Sequence, residues 1–446
     1  KIPELDPSNK ETYLRLGKIY METKQYHEAL DLFQRMANHF PNYYVAWFYL
    51  GEANMMTQQF EPAKQAFLKS IELEPDLVEA RFRLIDIYRK VPARDQDPGS
   101  PDKILKAYET ILDLEPGNLQ AQMEMALIYF RTGQEELSRD MFHQLALESK
   151  TNSRVIMTAV DIFISQKRGQ DAVLAFSQML KADPESDNLN FFTAMAHESA
   201  GEFQAAVDHY LKVGPDHPQH KKAVLTVAFL YRDMGKTPEA VHFLEAQHAQ
   251  FPRDIDIILY LSSFYEKQDL MDKAMALLEN AVADSPENTS LLFRLGAIQD
   301  KKGLRQKCIE TMKKIISIDA DDASALNYLG YTYADMGIHL DQALDLVSRA
   351  LKLKPEDGYI TDSLGWVYFQ KKEYEKAVVH LEKAAKLSNW ETVIAAHLAD
   401  AYVKAKRFKD ALAAYEKALA NADKKDEKTV QDLEKKIRQV RTRLEQ

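Results

Sequence analysis

Two pairs of side chains in the C-terminal half of the chain combine a polar group with an aromatic ring. Tyr331 follows Asn327 by four residues, and Trp366 follows Asp362 by four. This spacing places both members of a pair on one face of a helix. The amide and the carboxylate can hydrogen-bond the backbone of a bound chain, while the rings supply contact area. These residues therefore favour noncovalent recognition of a protein or peptide.

Side chains suited to covalent or metal chemistry do not form a complete set. His209, His217 and His220 cluster around a predicted turn, where three surface histidines or a metal site are the alternatives. His197-Glu198 begins like a zinc-protease helix but lacks the second histidine. Cys308 is the single cysteine, which excludes an internal disulfide. We predict no catalytic residues, no metal and no cofactor, and a protein that is not an enzyme.

The composition limits the classes of partner. Acidic residues outnumber basic ones, 68 against 58, and the net charge is −10. Nucleic-acid affinity depends on cationic side chains, so we expect no nucleic-acid partner. No apolar run reaches the roughly 18 residues of a membrane-spanning helix. We expect membrane contact only through an N-terminal lipid anchor that would lie outside this chain.

The elements that position these side chains repeat along the sequence. A set of small, large and helix-breaking residues recurs after 34 residues: Leu16-Gly17, Ala29, Phe33 and Pro41, then Leu50-Gly51, Ala63, Phe67 and Pro75. Two antiparallel helices that cross closely need a small residue at the crossing and a large one beside it. The proline ends the second helix of each unit. The pattern predicts tandem helical hairpins.

The register extends over most of the chain. It predicts twelve repeats in residues 10–425, preceded by a lead-in at 1–9. Repeat 3 has an insertion loop at about 91–101, and repeat 10 has one extra residue near Ile338. Residues 426–446 are predicted to form a capping helix, because a stack of repeats exposes an apolar face at its end. Its apolar stripe has helical spacing: Val430, Leu433, Ile437, Val440 and Leu444.

The period and its small, large and proline positions resemble those of the tetratricopeptide-repeat (TPR) family. The resemblance implies an all-α fold, a right-handed superhelical solenoid with a concave groove lined by the first helix of each repeat. It also implies that the groove binds peptide segments or partner helices.

Residues at the groove positions of this family are rich in aromatic and other apolar side chains. The resemblance implies a partner-binding surface formed by Phe48, Met55, Phe82, Phe130, Phe191, Phe229, Asn327, Tyr331, Tyr359, Asp362, Trp366 and Phe369. Packing between neighbouring first helices is the alternative role for any one of these rings.

Repeats 10 and 11 carry a narrower resemblance. Asn327-Tyr328-Leu329-Gly330-Tyr331, Asp362-Ser363-Leu364-Gly365-Trp366 and the inserted residue between them resemble a signature of TPR proteins from Gram-negative bacteria. Many of those are envelope lipoproteins, and some resemble adaptors for carboxyl-terminal-processing proteases. The resemblance implies a periplasmic, lipid-anchored location, with a processing protease or its substrates as partners. A cytoplasmic location is the alternative.

We therefore predict a non-catalytic scaffold that binds a partner protein or an extended peptide. The alternative is that the array is one domain of a larger enzyme or of a secretion or assembly machine. A monomer or a weak dimer is expected, with self-assembly through the end repeats as a further alternative.

Overall fold

The computed structural model describes residues 9–90, 101–424 and 426–445. Within these ranges it contains twenty-five α-helices, one π-helical segment and no strand. The predicted all-α solenoid of helical hairpins is confirmed. Apart from Asn9 and Pro101, the predicted lead-in and insertion loop lie outside the described residues. The chain divides into an N-terminal unit, Lys1–Leu230, and a C-terminal unit, Tyr231–Gln446.

The helices of the N-terminal unit pack mainly on their neighbours in sequence. The unit ends within α13. Its helices are α1 (Lys10–Glu22), α2 (Tyr26–His39), α3 (Tyr44–Met56), α4 (Phe60–Leu73), α5 (Val78–Lys90), α6 (Pro101–Leu114), α7 (Leu119–Arg131), α8 (Glu135–Ser149), α9 (Ser153–Ala159) with the π-helical segment Val160–Ile164, α10 (Gly169–Ala182), α11 (Asp187–Ser199), α12 (Phe203–Tyr210) and α13 (His220–Asp233).

The C-terminal unit continues the same alternation of first and second helices. Its helices are α14 (Thr237–Gln250), α15 (Ile255–Lys267), α16 (Met271–Asp284), α17 (Thr289–Lys301), α18 (Arg305–Ile318), α19 (Ala323–Asp335), α20 (Leu340–Leu353), α21 (Gly358–Gln370), α22 (Tyr374–Leu387), α23 (Thr392–Lys404), α24 (Phe408–Asn421) and α25 (Glu427–Glu445).

Local sequence signals set where many of these helices begin and end. Asp357 caps α21 by accepting hydrogen bonds from the backbone N–H groups of Tyr359 and Ile360, which satisfies donors that a helix start leaves unpaired. The second helix α20 ends at Leu353, two residues before Pro355. Proline has no N–H to continue a helix and disfavours helical geometry in the residue before it.

The second helix of repeat 6 departs from this rule. The sequence pattern predicts that it ends near Pro218, but α12 already ends at Tyr210. Gly214 and Pro215 interrupt the segment, and the N–H of Gly214 donates to the Asp187 carboxylate at 2.8 Å. This hydrogen bond takes the place of an intrahelical one, so the chain enters a turn earlier than the spacing suggests.

Close approach of paired helices explains the alternation of small and large residues. A Cβ atom built on Gly51 would lie 2.6 Å from a ring carbon of Phe67, well inside van der Waals contact. Phe67 is itself fully buried. Cys308 occupies a small position of the same kind, buried beside Met312 and Ile309. Burial, with Asp300 nearby, raises the pKa of the Cys308 thiol to about 12, so the thiol stays protonated.

The last helix covers the end of the apolar core. Leu433, Ile437 and Val440 of α25 are buried in one cluster with residues of α24, including Tyr415. Leu444, at the end of the predicted stripe, is 39% exposed. The opposite face of α25 is polar, as a helix between core and solvent requires.

Candidate functional site

The predicted partner-binding residues of the N-terminal unit differ widely in exposure. Phe130 is 38% exposed, whereas Phe191 is 2% exposed and packs edge-on against Tyr210 with 5.5 Å between ring centroids. Phe191 is therefore a core residue in this structure. The other four are half-buried: Phe48, Met55, Phe82 and Phe229. Phe48 packs on Phe67 and Phe82 packs on Tyr108, so both rings contribute to contacts between helices.

Four predicted residues of the C-terminal unit line one cavity of about 300 Å³. Asn327 and Tyr331 come from α19, and Tyr359 and Asp362 come from α21. Tyr359 is 63% exposed, and its ring stands at the solvent side of the cavity. Packing of α19 on α21 brings Asn327 and Tyr331 of one repeat beside Tyr359 and Asp362 of the next. We call this space the tyrosine cavity.

Trp366 and Phe369 support the tyrosine cavity without lining it. The two rings stack with 4.6 Å between centroids and an interplanar angle of 6°. Trp366 also stacks on the imidazole of His397, with 4.1 Å between ring centroids. Trp366 is half-buried, and its Nε1 has no hydrogen-bond partner among the described residues. The predicted Tyr331 and Trp366 thus have different positions, with Tyr331 in the wall and Trp366 behind His397.

Besides Glu391, which precedes α23, sequence reasoning missed His397 of α23 in this site. Its Nδ1 lies 3.0 Å from both carboxylate oxygens of Asp362, to which it donates a hydrogen bond. Its ring also lines the cavity. The sequence does contain a signal for His397. It lies three residues before Asp400, just as Tyr328 lies three residues before Tyr331. His397 and Tyr328 therefore occupy the same position in different repeats.

Charges on three helices determine the protonation of His397. Burial alone lowers the pKa of its imidazole, but the charge and hydrogen bond of Asp362, together with the charge of Asp400, outweigh burial. Lys436 of α25 opposes them and forms a 3.0 Å ion pair with Asp400. The net effect is a raised pKa for His397. Burial, followed by nearby carboxylates including Asp362, raises the pKa of Tyr331 to about 12, so that phenol stays protonated.

The raised pKa of His397 makes the stability of the C-terminal unit depend on pH. The stabilising contribution of this group is complete below the unfolded pKa of about 6.5 and is lost as pH rises through the higher folded value. His397→Gln can still donate to Asp362 but cannot titrate. We expect urea unfolding, followed by tryptophan fluorescence, to show a smaller stability decline as the pH rises above about 6.5 in this variant than in the wild type.

His380→Gln is the matched control for this prediction. Burial, with Lys383 nearby, lowers the pKa of His380, which is the opposite direction. The decline with rising pH should therefore persist in this variant. An unchanged decline in His397→Gln would show that another group causes it.

The histidines singled out in the sequence hydrogen-bond different partners, although the rings of His197 and His209 stack with 5.4 Å between centroids. His209 hydrogen-bonds Asn190 through Nδ1 at 3.0 Å, and His220 Nδ1 donates to the carbonyl of Val213 at 2.8 Å. His197 pairs with Glu202 at 2.6 Å. Among residues 9–90, 101–424 and 426–445, no group of three His, Cys, Asp or Glu side chains is arranged to hold a metal ion. In the same ranges no helix has the length and apolar character needed to cross a bilayer.

Four segments of the chain match models of tetratricopeptide repeats. The matched residues are 10–53, 158–219, 289–322 and 368–437. These segments lie in both units.

Among curated proteins, the chain is similar to components of two eukaryotic complexes. It is 34% identical to human Superkiller complex protein 3 over 103 residues, which are 22% of this chain and 7% of that protein. It is 22% identical to the BBSome complex member BBS4 homolog of Drosophila melanogaster over 259 residues, which are 55% of this chain and 52% of that protein. The matches thus span about half or less of each relative.

Solved structures of the same repeat class are also similar. A tetratricopeptide repeat protein from Parabacteroides merdae has a TM-score of 0.47 at 14% identity, covering 56% of this chain and 98% of its own. Yeast Tom70 has a TM-score of 0.44 at 14% identity, covering 97% of this chain and 96% of its own.

Proposed function

Because the chain is a tetratricopeptide-repeat protein, we propose that it is a non-catalytic scaffold whose first helices bind a partner protein or an extended peptide. The tyrosine cavity carries this proposal. It combines the half-buried ring of Tyr331, the exposed ring of Tyr359 and the buried carboxylate of Asp362. Aromatic rings beside oriented polar groups are the usual anchors of protein interfaces. The names of two relatives as members of complexes support a role in assembly.

We further propose a location for the protein and a class of partner. The resemblance of repeats 10 and 11 to envelope lipoproteins supports a periplasmic, lipid-anchored adaptor. Its partner would then be a carboxyl-terminal-processing protease or a substrate of one. The acidic net charge of −10 suits a protein partner better than a nucleic acid.

The scaffold proposal predicts loss of partners when the cavity wall is removed. Affinity capture from a bacterial envelope extract, with mass spectrometry, should recover specific proteins with the wild type. The double variant Tyr331→Ala and Tyr359→Ala should lose them, because two aromatic anchors are gone. Truncation of an interface anchor costs about 2 kcal/mol or more, or roughly thirtyfold in affinity.

Val379→Ala is the control for this capture. Val379 is 65% exposed on the second helix α22, away from the cavity-lining residues. This variant should recover the wild-type partners, and circular dichroism should show native helicity in all three proteins. Recovery of the same partners by the double variant would place the binding surface elsewhere. A processing protease among the lost proteins would support the adaptor proposal, whereas other partners alone would count against it.

A further inference from the structure

The tyrosine cavity offers hydrogen-bond acceptors and negative charge. Asp362 and Glu391 line it, and none of the described residues that line it is lysine or arginine. Glu391 is held at the start of α23 by the N–H groups of Val393 and Ile394, at 2.9 and 3.1 Å. With two carboxylates and one histidine, the lining remains negative whether or not His397 is protonated. A cationic group complements this lining.

The aromatic lining of the cavity also matches a cationic group. The rings of Tyr328, Tyr331 and Tyr359 stand around the same space. Neutral aromatic faces attract cations, and more strongly where water is excluded.

A second cavity that also has carboxylate and aromatic side chains in its lining lies on the first helices of the same unit. It has a volume of about 570 Å³, and its lining includes Asp256, Tyr260, Phe293 and Asp322. Arg294 also lines it but is engaged by Glu266 at 2.5 Å. The two cavities are centred on α17 and α21, which are two repeats apart. With helices about 8–10 Å apart, this separation is roughly 16–20 Å, the length of about five or six extended residues.

We propose that the tyrosine cavity binds the lysine or arginine side chain of an extended partner segment, whose second basic residue, about five or six positions away, enters the cavity at α17. This inference rests on the proposed scaffold function and assigns a chemistry to its partner. The carboxylates of Asp362 and Glu391 attract the cation, and the tyrosine rings enclose it.

Synthetic peptides test the assignment. A fluorescein-labelled glycine-serine peptide with two arginines six positions apart is compared with the same peptide carrying glutamines, by fluorescence anisotropy. We expect the arginine peptide to bind at least about tenfold more tightly. Asp362→Asn and Tyr359→Ala should each weaken its binding at least about fivefold. Tyr359 is largely exposed, so its variant keeps the test valid if Asp362→Asn disturbs the fold.

Asp345→Asn is the matched control, because it removes the same charge from an exposed position on α20. It should bind the peptide like the wild type; if it weakens binding as much as Asp362→Asn does, the attraction is only that of an acidic chain for a basic peptide. If free argininamide competes with an affinity equal to that of the peptide, the cavity is a site for small cations. This result would overturn the proposal that it docks a partner segment. Equal binding of the two peptides overturns the cation assignment.

The peptide experiment and the capture experiment test the cation site and the scaffold function separately. If the variant lacking Tyr331 and Tyr359 loses captured partners while the arginine peptide binds no better than the glutamine peptide, the scaffold proposal stands without its cation. If the arginine peptide binds as expected but partners persist in that variant, the cavity recognises cations without being the main partner surface, and this assignment of the partner is wrong.

Discussion

Replacing Phe67 by alanine is expected to lower the free energy of unfolding of the N-terminal unit by about 3–5 kcal/mol. Phe67 is fully buried on α4, and its ring fills the space that Gly51 leaves open on α3. Phe48 packs edge-on against it at 5.7 Å. Alanine would leave a cavity beside two helices whose closest approach is already set by Gly51. Those helices cannot move together enough to refill it, so both burial and contact energy are lost.

Urea unfolding measured by Trp47 fluorescence tests this value. Trp47 is the single tryptophan of the N-terminal unit, so replacement of Trp366 and Trp390 by phenylalanine leaves a local reporter. Phe130→Ala is the matched control, because this ring is 38% exposed. Its loss should cost less than about 1 kcal/mol. If Phe67→Ala and Phe130→Ala unfold at the same urea concentration, the Phe67 ring does not stabilise the crossing of α3 and α4 as expected.

Replacing Glu124 by glutamine is expected to cost the same unit about 3 kcal/mol. Glu124 of α7 is buried, with its side chain 3% exposed. It accepts hydrogen bonds from Arg89 of α5 at 2.7 Å and from Arg168, just before α10, at 2.5 Å. The pKa of Glu124 is lowered, because the two guanidinium groups outweigh the effect of burial. Glutamine keeps the shape but leaves two cations without their shared carboxylate.

The expected cost lies at the low end of the usual 3–5 kcal/mol for a broken buried pair. Arg89 and Arg168 keep 35% and 23% of their side-chain surface exposed, so water compensates part of the loss. Glu136→Gln is the control, since that side chain is 84% exposed. It should change stability by less than about 0.5 kcal/mol. Equal unfolding midpoints for the two variants at neutral pH would show that the buried pair contributes nothing net.

The repeat period predicted most of the helices, because each hairpin follows local rules that recur at a fixed spacing, but it did not predict the early end of α12 at Tyr210. Asp357 caps a helix and Pro355 lies beyond the end of another, and both effects act within a few residues. Gly51 and Phe67 lie on adjacent helices, so their complementarity also appears in the sequence. Helical spacing likewise placed Asn327 with Tyr331, whereas it did not predict that Asp362 lines the cavity and Trp366 does not. The sequence indicated only in general terms that three of these residues, Asn327, Tyr331 and Asp362, line one cavity.

Tertiary structure decided which of the equivalent positions are exposed and what lies beside them. Phe191 and Tyr359 were predicted together, yet one is 2% exposed and the other 63% exposed. His397 enters the site because α23 packs on α21, and its partner Asp362 belongs to the preceding repeat. Glu124 meets arginines from both sides for the same reason. Such contacts depend on the packing angle between repeats and on side-chain rotamers, and neither repeats with the sequence.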